Sequence, residues 1–240
     1  MSWFANWFDS PYYHTLYKNR DEREAQVFID NLINYLQIPS GSKLIDIACG
    51  KGRHAKYFNQ KGMDVVGVDL SPNSINTANK DKNKNLQFSV HDMRENYQEY
   101  CFDVVTNLFT SFGYFEDNKD EQKAINAMAS NLKKEGLLII DFMNVKKVIA
   151  NLVLNEQKKV DGIQFDITRK VKDGYILKDI QITDGEEHQQ FQEKVKAITL
   201  ADYSELIDNA GLKIIYIFGN YQLDNFVEEI SDRLILICKK

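Results

Sequence analysis

The chain has 240 residues, 30 Lys and Arg against 35 Asp and Glu, a net charge of −5, 43% apolar and 27% charged residues. That is an ordinary globular composition, long enough for a substantial core, and its acidic balance argues against a nucleic-acid partner, which favours a basic surface. Three widely spaced cysteines form no metal or disulfide pattern, no apolar run reaches the ~18 residues of a membrane span, and the opening MSWFANWFDS has no basic stretch before its apolar residues, so neither metal nor membrane is expected and a reducing, cytoplasmic setting is.

Residues 21–37 place Val27, Phe28, Leu32, Tyr35 and Leu36 at helical spacing behind an acidic first turn, which predicts an amphipathic helix ended by Pro39-Ser40-Gly41. Residues 43–48 read as a buried strand, 51–61 as a helix closed by Gly62, and 64–70 as a second strand. Ser71 and Pro72 suit the N-cap and first turn of a further helix. Strands at 86–90 and 102–108, a helix at 119–134 and a fifth strand at 137–142 complete an alternation. Such alternation implies right-handed crossovers and a doubly wound α/β fold with a mainly parallel sheet. After about Val145 the pattern changes. Residues 163–168 alternate apolar and polar, Asp173-Gly174 and Asp184-Gly185 mark turns, and runs at 175–183 and 189–198 complete a small antiparallel β-meander within an insertion at 146–198. Thr199 caps a helix that ends at Asn209-Ala210-Gly211, and strands at 212–218 and 233–238 are expected to pair antiparallel. The whole reads as a single domain over 1–240, with residues 1–40 an aromatic segment and helix.

The stretch LIDIACGKGRHA contains Gly50-x-Gly52-x-x-Ala55 directly after a strand, with Asp69 19 positions beyond Gly50. This fits a dinucleotide fingerprint and equally a loop for S-adenosylmethionine, because a carboxylate at the end of the next strand can accept both ribose hydroxyls. Asp46 separates the two. At ~4 Å and an effective dielectric of ~20, it would repel one pyrophosphate charge by ~4 kcal/mol, whereas a sulfonium and an ammonium are compatible with it. A polar strand-end residue bonded to loop amides is the other reading of Asp46.

The ordered set LIDIACGKGRHA, VVGVDLS, VHDMRE, FDVVTNLFTSFGYF and LKKEGLLIIDF, followed by GLKIIYIFGNY and SDRLILICKK, resembles the class I S-adenosylmethionine-dependent methyltransferases over roughly residues 40–145 and the closing strand pair. The closer likeness is to a small-molecule branch that includes sugar-amine N-methyltransferases. The resemblance implies a Rossmann-like seven-stranded sheet with an antiparallel last strand, the meander overhanging it as a lid, or serving as a homodimer surface. It implies that Asp46, Ala48, Cys49, Gly50 and Gly52 lie around the methionine part of the cofactor. Asp69 takes the ribose, with Leu70 on adenine and Ser71 beside it. Asp92 and Met93 reach the adenine edge, and Asn107 and Leu108 lie near the sulfonium. Tyr13 reaches back from the N-terminal segment. Structural alternatives exist: Asp92 could cap a turn, Asn107 could end a strand, His54 could be a helix-face residue and His91 an exposed one.

Ligands of open α/β sheets bind beyond the carboxyl ends of the strands, so Phe109, Thr110, Ser111 and Tyr114 are expected to face the acceptor, with Tyr17 from the N-terminal side. Tyr114 and His14 are the candidate bases if the nucleophile must lose a proton. Neither the Asn/Asp-Pro-Pro-Tyr segment of enzymes that methylate base amines nor a Pro-Cys nucleophile is present. The expected activity is methyl transfer to a small-molecule amine, or to a hydroxyl, by in-line displacement. An RNA or protein methyltransferase, a nicotinamide-dependent oxidoreductase and a non-catalytic S-adenosylmethionine-binding module are the alternatives.

Overall fold

The computed structural model describes residues 3–18 and 22–240. The elements in chain order are α1 (Trp3–Phe8), α2 (Pro11–Leu16), α3 (Glu22–Leu36), β1 (Lys43–Ile47), α4 (Arg53–Gln60), β2 (Asp64–Asp69), α5 (Pro72–Ala78), β3 (Leu86–Val90), β4 (Phe102–Asn107), α6 (Asn118–Asn131), β5 (Leu132–Met143), α7 (Val145–Ala150), β6 (Asn155–Val160), β7 (Ile163–Lys172), β8 (Tyr175–Asp184), β9 (Glu187–Lys196), α8 (Leu200–Asn209), β10 (Lys213–Phe218) and β11 (Arg233–Lys239). The expected start of the first long helix, at residue 21, lies outside the described residues.

Seven strands form one sheet in the order β10-β11-β5-β4-β1-β2-β3. β1 through β5 run parallel and β11 runs antiparallel to both β5 and β10. The central strands are apolar on both faces, as a sheet covered on both sides requires. Leu44, Val104, Ile139 and Ile237 pack with Phe28, Leu32, Ala55 and Phe58 of α3 and α4. Their neighbours Ile45, Val105, Ile140 and Leu236 pack with Met128 of α6 and with Tyr203 and Ile207 of α8.

The insertion forms a second sheet of four antiparallel strands, β6-β7-β8-β9, one more than the expected meander. The additional strand, β6, reads NEQKKV and buries neither face, so alternation could not announce it. One face of this sheet presents Phe165, Ile167, Ile180 and Ile182, which bury Trp7 and Leu16 of the N-terminal helices. Those two short helices were not expected. Ser10 caps α2 by accepting from Tyr12 N at 3.2 Å, and Pro11 opens its first turn.

Several boundaries differ from expectation, β7 running to Lys172 rather than 168 and β9 covering Glu187–Lys196 rather than 189–198. α6 stops at Asn131 rather than 134, and β5 begins at Leu132 rather than 137. Leu132 is drawn into register with Phe102, and tertiary pairing overrides local helical preference. α4 begins at Arg53, two residues late, because Gly52 holds the left-handed φ of 80°. The buried stripe of α3 is Ala25, Phe28, Ile29 and Leu32, while Val27 and Tyr35 are exposed.

α8 carries a full capping box. Thr199 Oγ1 accepts from Asp202 N, and an Asp202 carboxylate oxygen accepts from Thr199 N at 2.7 Å. Thr199→Ala should lower stability by about 1 kcal/mol, seen as a lower urea midpoint at unchanged slope. An unchanged midpoint would mean that burial of Tyr203 alone fixes the helix start.

Candidate active site

β1 lies beside β4, and the connections that leave them run to opposite sides of the sheet. That switch opens a crevice at the carboxyl ends of the strands. A cavity of about 500 Å³ fills it, with Ala48, Asp69, Asp92 and Phe109 on its floor and Phe8, Tyr13, Tyr17 and Glu193 on the opposite wall.

The glycine loop takes three left-handed residues, Ala48 (φ 60°), Gly50 (φ 56°) and Gly52 (φ 80°). At Gly52 a Cβ would also meet the Phe88 ring at 2.7 Å, so that position admits only glycine. Asp69 ties the loop to the next turn. Its Oδ2 accepts from Gly50 N and its Oδ1 from Ser71 N, both at 2.8 Å. Burial raises the Asp69 pKa, against the pull of the Ser71 and Gly50 amides. Ala48, Cys49, Gly50, Asp69 and Leu70 all line the cavity.

Asp46 is almost wholly buried behind the loop and is not part of the cavity wall. Its Oδ1 accepts from Thr106 Oγ1 at 2.8 Å, and its Oδ2 has no hydrogen-bond partner. Burial raises its pKa to about 7; the Thr106 bond opposes this and the Asp69 charge adds to it. An orphaned buried carboxylate oxygen favours nearby positive charge. The buried acid behind the loop therefore fits a cationic ligand there, although Lys51 and Arg53 of the same loop also line the cavity.

Three other expected contacts are also placed behind the wall. Gly52 packs under Phe88. Ser71 caps α5, accepting from Ser74 N at 3.0 Å and donating to Asp9, and it is Ser74 that reaches the cavity. Asn107 is buried and donates to Ile47 O at 3.1 Å. Asp92 and Met93 line the cavity, and Asp92 also caps a turn, its Oδ1 accepting from Arg94 N at 3.0 Å. Hydrogen bonds from the Arg94 side chain hold the Asp92 pKa down. His54 is buried on the cavity side of α4 and His91 is partly buried there, so neither is a solvated surface residue.

Leu108, Phe109, Thr110, Ser111 and Tyr114 follow β4 into the cavity. Phe109 (φ 62°) and Thr110 (φ 59°) are both left-handed and neither is glycine. Buried Asp141 holds them there. Its Oδ2 accepts from Phe109 N at 2.8 Å, and its carbonyl accepts from Thr110 N at 2.9 Å. Arg233 Nε donates to Asp141 Oδ1 at 2.7 Å, and Arg233 Nη2 donates to Thr110 Oγ1 at 3.0 Å. Thr110 O in turn accepts from the Tyr114 hydroxyl at 2.8 Å, and Ser111 Oγ donates to Leu108 O at 2.7 Å. Opposite, Tyr13, His14 and Tyr17 of the N-terminal segment line the cavity as expected residues, and Phe8 and Glu193 do so without having been expected. Arg53, within the quoted loop sequence, was open to recognition; Glu193, in an exposed-looking alternating strand, was not.

Among the described residues no His, Cys, Asp and Glu group could hold a metal ion, and no helix is long and apolar enough to cross a membrane.

Residues 38–197 match the protein family described as the methyltransferase domain. A Streptomyces venezuelae dTDP-3-amino-3,4,6-trideoxy-alpha-D-glucopyranose N,N-dimethyltransferase is 28% identical over 43% of the chain and 43% of its own length. A glycine/sarcosine N-methyltransferase of Parasynechococcus marenigrum is 31% identical over 54% of the chain and 46% of its own length. The chain thus spans less than half of either of these two relatives. Among solved structures, an S-adenosylmethionine-dependent methyltransferase from Clostridium acetobutylicum superposes with a TM-score of 0.79 at 21% identity, covering 98% of this chain and 97% of that one. The sugar N-methyltransferase KedS8 from Streptoalloteichus gives 0.73 at 19% identity, covering 95% and 92%.

Two outcomes follow from the buried acids. Asp46 titrates from about 7 in the fold against 3.8 when unfolded, so the folded state favours its neutral form. Stability from this group is complete below about pH 4 and is lost as pH rises towards 7, by about 4 kcal/mol at roughly 1.4 kcal/mol per pKa unit. Asp46→Asn should therefore match the parent at about pH 4 and exceed it in urea unfolding without cofactor at about pH 8; parallel pH profiles would refute the assignment. Arg233→Met leaves Asp141 buried without its cation and should cost about 3–5 kcal/mol. A loss below about 1 kcal/mol would show that the neutral donors around Asp141 suffice.

Proposed function

Since the chain belongs to the methyltransferase-domain family and is an S-adenosylmethionine-dependent enzyme, we propose that its acceptor is a small-molecule amine. The enclosure of the strand ends carries this reading: α1, α2 and β9 line a cavity of about 500 Å³ with aromatic side chains and one carboxylate, a space on the scale of a metabolite. The basic residues of the small sheet do not offer a polyanion surface. Lys158 and Arg169 pair with Glu156, and Lys170 with Asp179. Both curated relatives above are named for methylating amines.

S-adenosylmethionine supplies a methyl group already activated on a sulfonium, so the protein's work is to hold and to orient. Asp69 would take the ribose hydroxyls while its amide bonds keep it fixed. Leu70 and Met93 would flank adenine, with Asp92 at its amino edge. The backbone of Ala48, Cys49 and Gly50 would receive the methionine end. Asp46 and Asn107 act from behind, through the field and through loop geometry. Holding nucleophile and methyl in line can contribute ~7–11 kcal/mol. The Tyr114 proton is engaged by Thr110 O, so the Tyr114 oxygen is turned to accept from the acceptor, and His14, the other residue expected to serve as a base, lines the same cavity. The small sheet serves as a lid, and a cytoplasmic homodimer belongs to the same reading.

Calorimetric titration with S-adenosylhomocysteine, with NADH as control, tests the site. The first should bind and the second should not. Asp69→Ala should weaken S-adenosylhomocysteine by at least about a hundredfold, since two hydrogen bonds to a charged group are worth ~3–6 kcal/mol together. Retained affinity would remove Asp69 from the ribose. Transfer of labelled methyl to amines in a mixed panel, and not to the matching alcohols, is the expected acceptor pattern; the reverse would overturn the amine assignment.

A further inference from the structure

On the face of the small sheet that packs against the N-terminal helices, charged side chains interrupt the apolar ones at the rung of Lys178, where Arg169 stands beside it on β7 and is paired with Glu156 of β6. β8 and β9 pair with Ile176 opposite Val195, Lys178 opposite Glu193 and Ile180 opposite Phe191. Side chains two apart share a face, so the Lys178–Glu193 rung lies on the side that packs against the N-terminal helices. Both side chains are largely buried, 12% and 14% exposed, with Nζ and Oε2 3.4 Å apart. Burying an ion pair is seldom a source of stability, because desolvation offsets the attraction. The rung therefore calls for another explanation.

Its surroundings supply one. Glu193 Oε1 accepts from Trp7 Nε1 at 2.8 Å and from the Tyr17 hydroxyl at 2.7 Å, and Lys178 Nζ donates to that same hydroxyl. Glu193 nonetheless reaches the cavity, on the wall facing Tyr114 and the strand ends. Aromatic rings line the same cavity. Phe8 meets Tyr13 at 5.0 Å and Tyr114 at 5.1 Å, both edge to face, and Tyr13 meets Tyr17 at 5.0 Å. A carboxylate sharing a cavity with aromatic rings suits an ammonium, which gains from both the charge and the ring quadrupoles.

We propose that Glu193 receives the acceptor's ammonium, with Phe8, Tyr13, Tyr17 and Tyr114 as the walls of that subsite, and that it takes the proton the amine must lose. In that step the ammonium passes one proton to a carboxylate oxygen of Glu193. A neutral amine with a free lone pair and a neutral carboxylic acid remain. Lys178 acts as a competing cation that tempers the negative charge before the acceptor arrives. The proposal rests on the small-molecule amine reading above and adds to it the group that recognises the nitrogen.

Dimethylammonium chloride is the probe, with isopropanol as its uncharged control, titrated into the protein saturated with S-adenosylhomocysteine. The Trp7 indole proton, bonded to Glu193, reports binding in nitrogen–proton correlation spectra without any turnover. The parent should bind dimethylammonium saturably and ignore isopropanol at equal concentration. Glu193→Gln, which keeps the Trp7 and Tyr17 bonds, should weaken the probe at least tenfold and leave S-adenosylhomocysteine affinity unchanged. Lys178→Gln should move probe affinity the other way. Equal probe affinity in the parent and Glu193→Gln, or no saturable binding to the parent, overturns the proposal. Loss of S-adenosylhomocysteine binding by the parent would instead overturn the cofactor site beneath it.

Discussion

The carboxyl group of Asp141 is the fixed point around which the acceptor side of the cavity is arranged. It joins the loop after β4, the strand β5, the first residue of β11 and, through the Tyr221 hydroxyl at 3.2 Å, the loop between the last two strands. The antiparallel turn of β11 makes this possible. Arg233 pairs with Met143 at the carboxyl end of β5; a parallel last strand would deliver its first residue to the opposite edge. Left-handed backbone at a non-glycine residue costs of order 1–3 kcal/mol, and here two such residues adjoin. They persist because the carboxylate and carbonyl of Asp141 accept from both amides of the bend and the Arg233 guanidinium donates to the Thr110 hydroxyl. Tyr114 is then placed by the same bend, through the carbonyl of Thr110.

Four of the carboxylates near the strand ends, Asp46, Asp69, Asp92 and Asp141, are each treated differently. Asp69 is held by backbone amides, Asp92 by Arg94 and Asp141 by Arg233 together with an amide. Asp46 alone keeps an oxygen with no partner. The sheet thus keeps an unpartnered carboxyl oxygen beneath the glycine loop, on the side where a positively charged ligand would favour its ionised form. The thiol of Cys49 stays protonated in the same field, its pKa raised by burial and then by the Asp46 and Asp69 charges.

Much of this was open to reading from the chain itself. The strands that carry the loops are short apolar runs between glycines and caps, and Asp46, Gly50 and Asp69 stand at spacings that only a strand–loop–helix unit explains. What escaped has specific physical reasons. The strand β6 is polar on both faces and owes its existence to pairing with β7. α1 and α2 are six residues each, too short to show a period, and are held by the far sheet. Asp46, Gly52, Ser71 and Asn107 belong to the right segments, yet sit one layer behind the wall, because order along a chain does not say which face of a loop looks inward. Glu193 could not be singled out locally: its meaning comes from Lys178 across the rung and from Trp7, 186 positions away.

That separation has a consequence for how the chain is made. The N-terminal helices leave the ribosome first, and at about 5–20 residues per second the strand they pack on follows on the order of 10–40 s later. Until then Trp7 and Leu16, both buried in the finished molecule, have no surface of their own to cover them. The α/β sheet needs neither and can assemble as β1 to β5 emerge. The strand β9 emerges after β1 to β5, and Arg233, which braces the bend after β4, emerges later still, so a nascent chain has the strands of its cofactor floor before it has its roof or the brace of its acceptor side.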